Sequence, residues 1–452
     1  FQTGRGVGRL ATRRHPGGVL IEADQFHHDQ AVKETRAYMA DRTVPAIFEA
    51  GFVHNNVRVR VDVLERTTRG RCNLIEVKSA LDVKEVNLDD LALQYWVLNG
   101  CGVRIHKAGI LTLDRDYVYR GGEHDVDQLF VFHDLTTKAR QRLRTIGRKV
   151  EILHAVLRKK RPPSIRPGGH CFSPYECPYH HNCIRRPGLP KHPIDDLPGL
   201  NPDKRGLLES LHIEDIGAIP PHVELTPLQA RIRDCVREDR EFCSPEVGAL
   251  LKNMQYPIHH VDFESIMPAL PRYVGTRPYQ VLPFLWTNHI EHRDGTVEHH
   301  EYICERDEDP REEVAQSLIE SLGDRGTICT YSRYEVGIIR ALAEHLPKMK
   351  KRLLAAVERC FELRSIVREH YYHPQMHGSF SLKRVLSTLA PEMSYEDLTI
   401  QDGTEASLAY LEALDTKNQA QRRQLFGALR RYCGRDTEGL VRIRTTLIAK
   451  AG

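Results

Sequence analysis

Two sets of carboxylates in this chain sit at the spacing that one face of a β-strand requires. In the first, within 59–80, Glu76-Val77-Lys78 follows Asp62 across a polar, Gly-containing turn. Strand side chains alternate, so Glu76 and Lys78 share one face while Val77 points to the other. Asp62 lies on the preceding β-branched run and comes from the neighbouring strand of a hairpin. Two carboxylates and an ammonium brought together hold a divalent cation, Mg2+ or Mn2+, through oxygen. They also leave the Lys78 amine to orient a water or steady a phosphorane-like charge, which is the chemistry of phosphodiester cleavage. The second set begins at Asp262-Phe263-Glu264, where the same period of two puts both carboxylates on one side, ready to share a metal ion. Tyr432 and Asp436, four apart on a predicted helix, share a face.

The elements that position these residues follow from periodicity. Residues 29–40 have helical spacing and good helix formers, and 46–50 begin a strand that leads to the Asp62 hairpin. Glu49 on that strand is either a further metal carboxylate or a solvated strand residue. An apolar helix over 88–98 carries Gln94. Composition turns loop-like over 187–198, marking a boundary, and short helices are expected over 197–220 with a further one at 227–238. The first pair resembles a single helix-hairpin-helix element, whose amides meet a phosphate; a connecting bundle is the other reading. Strands are expected at 256–265, 279–290 and 297–303, then a helix at 310–322 and a short buried strand at 326–332 running into Glu335.

A chain of 452 residues, 40% hydrophobic and 28% charged, has room for two or three soluble domains. No run is long and apolar enough to span a membrane and no secretory signal is recognisable, so no membrane partner is expected. The net charge of +4 is too small to argue for nucleic acid by itself. Local basic runs at 138–144 and 158–161 are either solvated helix faces or phosphate-contacting surfaces. Eleven scattered cysteines do not read as a secreted disulfide framework, which points to a reducing cytoplasm. The chain begins at Phe1 in mid-pattern, and a preceding segment is expected.

An Asp followed a hairpin later by Glu-x-Lys resembles the PD-(D/E)xK nuclease pattern, and its flanks resemble the RecB-like branch. That branch often places a Gln, with a Tyr four residues later, on the next helix. Gln94 fits, whereas Leu98 stands at the Tyr position and Tyr95 adjoins the Gln. Cys171, Cys177 and Cys183, each pair separated by five residues, are close enough to hold a metal or an iron–sulfur cluster. They resemble the C-terminal cysteines of CRISPR-associated RecB-like nucleases and of the AddB nuclease, although the first interval there is typically shorter. The resemblance implies a structural iron–sulfur (4Fe-4S) cluster; a zinc site of three Cys and one His is the rival. The fourth ligand would come from a preceding segment or from His170, His180 or His181.

Asp-x-Glu on a first strand, an acid opening a central helix and Tyr-x3-Asp on a late helix resemble the DEDD exonucleases with the Tyr variant of the last motif. The resemblance implies a ribonuclease H-like fold in which Asp262, Glu264 and Asp436 hold two metal ions and Tyr432 orients the attacking water. Glu335 stands where an Asp is usual. Residues from 187 onward, including Gly378-Ser-Phe-Ser-Leu-Lys383, resemble an uncharacterised domain that commonly follows RecB-like nuclease domains in bacteria. Lys383 is either a phosphate contact or a surface Lys. The expected organisation is therefore α/β: a restriction-endonuclease-like domain over 1–186, a helical connector over 187–255 and a ribonuclease H-like domain over 256–452. The expected activity is a metal-dependent DNA nuclease, a 3′–5′ exonuclease acting on single-stranded ends, in DNA repair, phage defence or CRISPR spacer processing. An RNA-processing nuclease and a nucleic-acid-binding scaffold with one inactive site are the alternatives.

Overall fold

The β-branched runs around Asp62 form a hairpin with an extra strand before it. In a computed structural model, which describes residues 2–452 apart from 25, 69, 162, 164, 166–168, 181–182 and 184–189, the chain is a mixed α/β protein of two compact units. The first comprises 1–166 and 267–280; the second comprises 167–266 and 281–452.

The first unit holds a six-stranded mixed sheet in sequence order: β1 (Val19–Leu20), β2 (Ala46–His54), β3 (Val57–Arg66), β4 (Cys72–Val77), β5 (Ile105–Leu113) and β6 (Phe130–Asp134). The pairs β1–β2 and β4–β5 are parallel and the others antiparallel. Asn55 and Asn56 join β2 to β3 with φ of 47° and 57°, the left-handed pair that a two-residue hairpin turn demands. Val61 and Leu74 pack on one face, against Leu91 and Leu98 of helix Glu85–Gly100 and Val150 of helix Thr136–Leu157. Val63 and Ile75 point to the other face, where Val7, Leu111 and Ala269 complete a second core. The 267–280 segment is held in this unit by Tyr279, whose hydroxyl lies 2.8 Å from that of Ser79, and by a Tyr119–Thr276 backbone bond.

The second unit contains a small pair, β7 (Phe242–Cys243) with β13 (Tyr371–Tyr372), and a five-stranded sheet. Its strands β8 (Ile258–Ile266), β9 (Leu282–Glu291), β10 (Val297–Ile303), β11 (Thr327–Thr330) and β12 (Cys360–Glu362) lie in the order β10-β9-β8-β11-β12. β9 runs antiparallel to both β8 and β10, and β11 and β12 run parallel to β8. Val261 and Phe263 face a core with Leu318, Ile338 and Leu353. On the other core, Cys329 packs with Leu440 and Leu447 of the long helix Gln419–Ala451.

The boundaries differ from those expected of the sequence. Ile194, Leu208, Ile232 and Leu251, from the supposed connector, share one core with Leu440 and Ile443, so 187–255 is built into the second unit. The short-helix pair is one helix, Pro202–Ser210, capped by Asn201, and a single 3-10 turn, Ile216–Ala218. Among the described residues no helix is long and apolar enough to cross a membrane.

Candidate active site

The second unit draws four carboxylates from three elements into one buried place. β8 presents Asp262 and Glu264 on the face opposite Val261 and Phe263. Glu335 opens helix Tyr334–His345, where the Ser332 amide and hydroxyl donate to its Oε2 at 3.2 and 3.1 Å. It also shares a hydrogen bond with Asp262. Asp436 comes from helix Gln419–Ala451, and the Tyr395 hydroxyl donates to its Oδ1. Tyr432 and Cys433 lie on the same buried side of that helix. The Cys433 Sγ lies 3.6 Å from Asp262 Oδ2.

Burial raises every one of these acids, and for Asp262 and Glu264 the neighbouring carboxylates add to it. Asp262 stands well above the usual carboxylate range, through burial first and then the charges of Asp436, Glu335 and Glu264. Glu264 is pushed up to about 8 by burial and by Asp436, with Lys383 pulling the other way. Asp436 rises to about 6 through burial, against the Tyr395 hydrogen bond and Lys383. Burial also raises Glu335, and the Ser332 contacts partly offset it. Lys383 makes no ion pair with them; its Nζ lies 4.9 Å from the ring centres of both Tyr395 and Tyr432 and donates to the Gln401 carbonyl.

This donor set fits a divalent cation. Asp262, Glu264 and Cys433 bring ligand atoms within 4.8 Å of one another, and among the described residues no Arg or Lys hydrogen-bonds to those carboxylates. The other such group among the described residues, Cys304, Glu308 and Glu313, differs in kind, because Arg306 donates to both glutamates and neutralises them.

The first unit brings Asp62, Glu76, Lys78 and Gln94 together as their spacing implies. The Val77 amide donates to Asp62 Oδ2 at 2.6 Å, and Gln94 Nε2 donates to Glu76 Oε2 at 2.5 Å. Lys78 Nζ is 2.7 Å from Glu76 Oε1 and equally 2.7 Å from Asp90 Oδ2. Burial and the Glu76 charge raise Asp62 well above the usual range, with a further contribution from Glu49. Glu76 is raised by burial while Lys78 opposes it. Burial alone would lower Lys78, but Glu76 and Asp90 outweigh it and raise the amine. Glu49 stands at φ 56° within β2, a left-handed position uncommon for a residue with a side chain. At the position expected for a Tyr, Leu98 is fully buried in the core, and the Tyr95 hydroxyl accepts from Arg140 Nε at 2.8 Å instead.

Within the basic run at 138–144, Arg142 pairs with Glu85 and Asp89, and Arg140 donates to the Tyr95 hydroxyl. Cys171, Cys177 and Cys183 occupy a turn in which the Cys177 amide donates to the Cys171 carbonyl at 2.6 Å. Among the described residues these cysteines, with His170 and His180, do not bring three ligand atoms within 4.8 Å of one another. His181 lies outside the described residues.

Three residues were not singled out from sequence. Asp90 is four before Gln94 and so shares its helix face, a legible signal. Cys433 is three before Asp436, also legible. Tyr395 sits in a loop between helices, 41 residues from Asp436, and no local pattern marks it.

A family model described as a domain of unknown function (DUF2779) matches residues 259–381. The match takes in Asp262, Glu264 and Glu335 and ends before Lys383, Tyr395, Tyr432 and Asp436. No curated protein and no solved structure matches the chain.

Proposed function

We propose that this chain is a metal-dependent nuclease acting on DNA, with a ribonuclease H-like second unit as a 3′–5′ exonuclease and a RecB-like, restriction-endonuclease-like first unit. The observation that carries the proposal is the convergence of Asp262, Glu264, Glu335 and Asp436, all raised and none ion-paired to an Arg or Lys among the described residues. Those four would hold the cation, Mg2+ or Mn2+. When bound, it supplies Lewis-acid polarisation of a phosphate and acidification of water.

The protein's own groups do the rest. Tyr432 is nine-tenths buried beside Asp436, and burial together with the Asp436 charge raises its phenol, so the O–H keeps its proton and orients a water. Tyr395 fixes the Asp436 carboxylate by donating to it. Lys383, held against two rings and free of a carboxylate partner, is placed to meet a phosphate oxygen. In the first unit Lys78 is the cation beside Glu76, and Gln94 fixes that carboxylate.

The test is 5′-labelled single-stranded DNA with Mg2+ or Mn2+, comparing wild type, Lys78→Ala and Asp262→Ala. A ladder lost only in Asp262→Ala places the exonuclease in the second unit, and loss only in Lys78→Ala places it in the first. Cleavage that survives in both overturns the assignment, and equal degradation of RNA ends replaces DNA with an RNA substrate. An iron–sulfur cluster, or zinc, at Cys171, Cys177 and Cys183 is a separate proposal, decided by iron, sulfide and zinc analysis.

A further inference from the structure

We propose that Cys433 gives the second unit's carboxylate site a sulfur ligand, so that the site prefers a thiophilic divalent cation such as Zn2+ or Cd2+ over Mg2+. The inference rests on the reading that Asp262 and Glu264 hold a divalent cation.

Geometry carries it. The sulfur of Cys433 and one oxygen each of Asp262 and Glu264 lie within 4.8 Å of one another. Ligand atoms around one tetrahedral ion stand about 3–4 Å apart, given metal–oxygen and metal–sulfur bonds of about 2.0–2.3 Å. The three donors therefore need only small side-chain adjustments to meet one ion. Glu264 is 7% exposed, and its carboxylate, one of the three clustered donors, has burial and neighbouring charges acting on it but no hydrogen bond. A buried carboxylate left without a donor is a strong demand for a cation.

The sulfur is also supported from behind. The Thr287 hydroxyl on β9 lies 3.3 Å from Cys433 Sγ and 2.9 Å from the Cys433 carbonyl. A hydroxyl beside a thiolate stabilises it, which is the outer-shell arrangement that tunes metal ligands. Cys329, also buried in this unit, belongs instead to an apolar core and joins no such donor group. Oxygen-only sites suit Mg2+, whereas a thiolate shifts preference toward softer ions. On binding, the Cys433 S–H bond breaks, a sulfur–metal bond forms and the proton leaves to solvent; nothing is oxidised or reduced.

The experiment measures Cd2+ and Mg2+ binding to the full chain, for wild type, Cys433→Ser and Asp262→Asn. Sulfur-to-Cd2+ absorption is read as the difference between wild type and Cys433→Ser, which removes the background from the other cysteines. The expected result is a tenfold or greater loss of Cd2+ affinity in Cys433→Ser, loss of one sulfur-to-Cd2+ band, and Mg2+ affinity within twofold of wild type. An unchanged Cd2+/Mg2+ ratio with no difference band overturns the inference while leaving the carboxylate reading intact. Unchanged binding of both ions in Asp262→Asn overturns the carboxylate reading and the inference with it. Should Cys433→Ser not fold, Thr287→Val serves: a several-fold loss of Cd2+ affinity alone supports the inference, and no change overturns it.

Discussion

The two carboxylate sites handle their charge in opposite ways. In the first unit every acid has a donor: Lys78 bridges Glu76 and Asp90, Gln94 serves Glu76, and the Val77 amide serves Asp62. In the second, Asp262 and Glu264 face one another, Asp436 and Glu335 with no ammonium or guanidinium of the described residues bonded to them, and Lys383 acts only from a distance. A buried charge must be paired, protonated or bound to metal. The first site takes the first solution for Glu76 and Asp90 through Lys78, while Asp62 stays raised beside them, and the second leaves the third open. The difference predicts that the second site binds divalent cations more tightly and depends on them more for stability.

A buried carboxylate on the same sheet as Glu264 shows that the contrast lies in the partners and not in the sheet. Glu291 on β9 receives Arg444 at 2.6 Å and lies 3.2 Å from His260 Nε2. Although burial pushes it up, these partners hold it below the usual carboxylate range, while Glu264 rises to about 8. Arg444→Met should leave Glu291 with His260 and the Tyr256 hydroxyl but no guanidinium, and destabilise the protein by about 3–5 kcal/mol, because the remaining charge stays buried. Chemical denaturation measures the loss. A loss under 1 kcal/mol would show that this fold tolerates unpaired carboxylates cheaply, and the contrast between the two sites would carry no energetic meaning.

The next effect in size concerns Glu264 itself. Its folded pKa, about 8, lies above the ordinary 4.5, so between these values the folded state keeps a proton that the unfolded state has lost. Stability contributed by that proton is intact below about pH 4.5 and falls as pH rises toward 8. Asp436, at about 6, adds to the fall over the lower part of the same range. Melting temperature should therefore drop from pH 5 to pH 8 in chelator, and a divalent cation should restore more at pH 8 than at pH 5. Glu264→Gln should raise apo stability at pH 8 by about 1–2 kcal/mol and abolish most of the cation-linked gain. A melting temperature that rises with pH and ignores cations would reverse the assignment of roles to the two sites.

Much of this was legible in the sequence, and the limits are physical. Asp62, Glu76, Lys78, Asp262 and Glu264 were legible because a strand's period of two fixes which side chains share a face. Gln94, Tyr432 and Asp436 were legible through the helical period, and their helices lie where the pattern placed them. The five-stranded order was not legible, since β11 joins β8 and β12 joins β11 through parallel pairings that no short turn announces. Tyr395 reaches Asp436 through tertiary approach alone. The 187–255 stretch shows its own apolar residues, but not that Leu440 and Ile443, two hundred residues onward, are what they pack against. Segment 267–280 directly follows β8 yet is counted with the first unit, which composition cannot reveal.

The smallest expected effect tests the first site's self-sufficiency. Asp90 and Lys78 are partly exposed, with side-chain exposures of 40% and 25%, so their pair is screened and worth little to folding. Asp90→Asn should change stability by less than about 1 kcal/mol. Its consequence lies with the amine, because Glu76 is then the only carboxylate hydrogen-bonded to Lys78, and the contribution that raised Lys78 through Asp90 is gone. The amine of Lys78 should titrate lower than in wild type, read by NMR of the ε-CH2 carbons. Cation binding at the second site should not move. A lowered Lys78 in a protein of unchanged stability would mean that Asp90 sets the charge state of the lysine without holding the fold together. An unmoved Lys78 would mean that Glu76 alone compensates it, and that the first site has one fewer working part than its geometry implies.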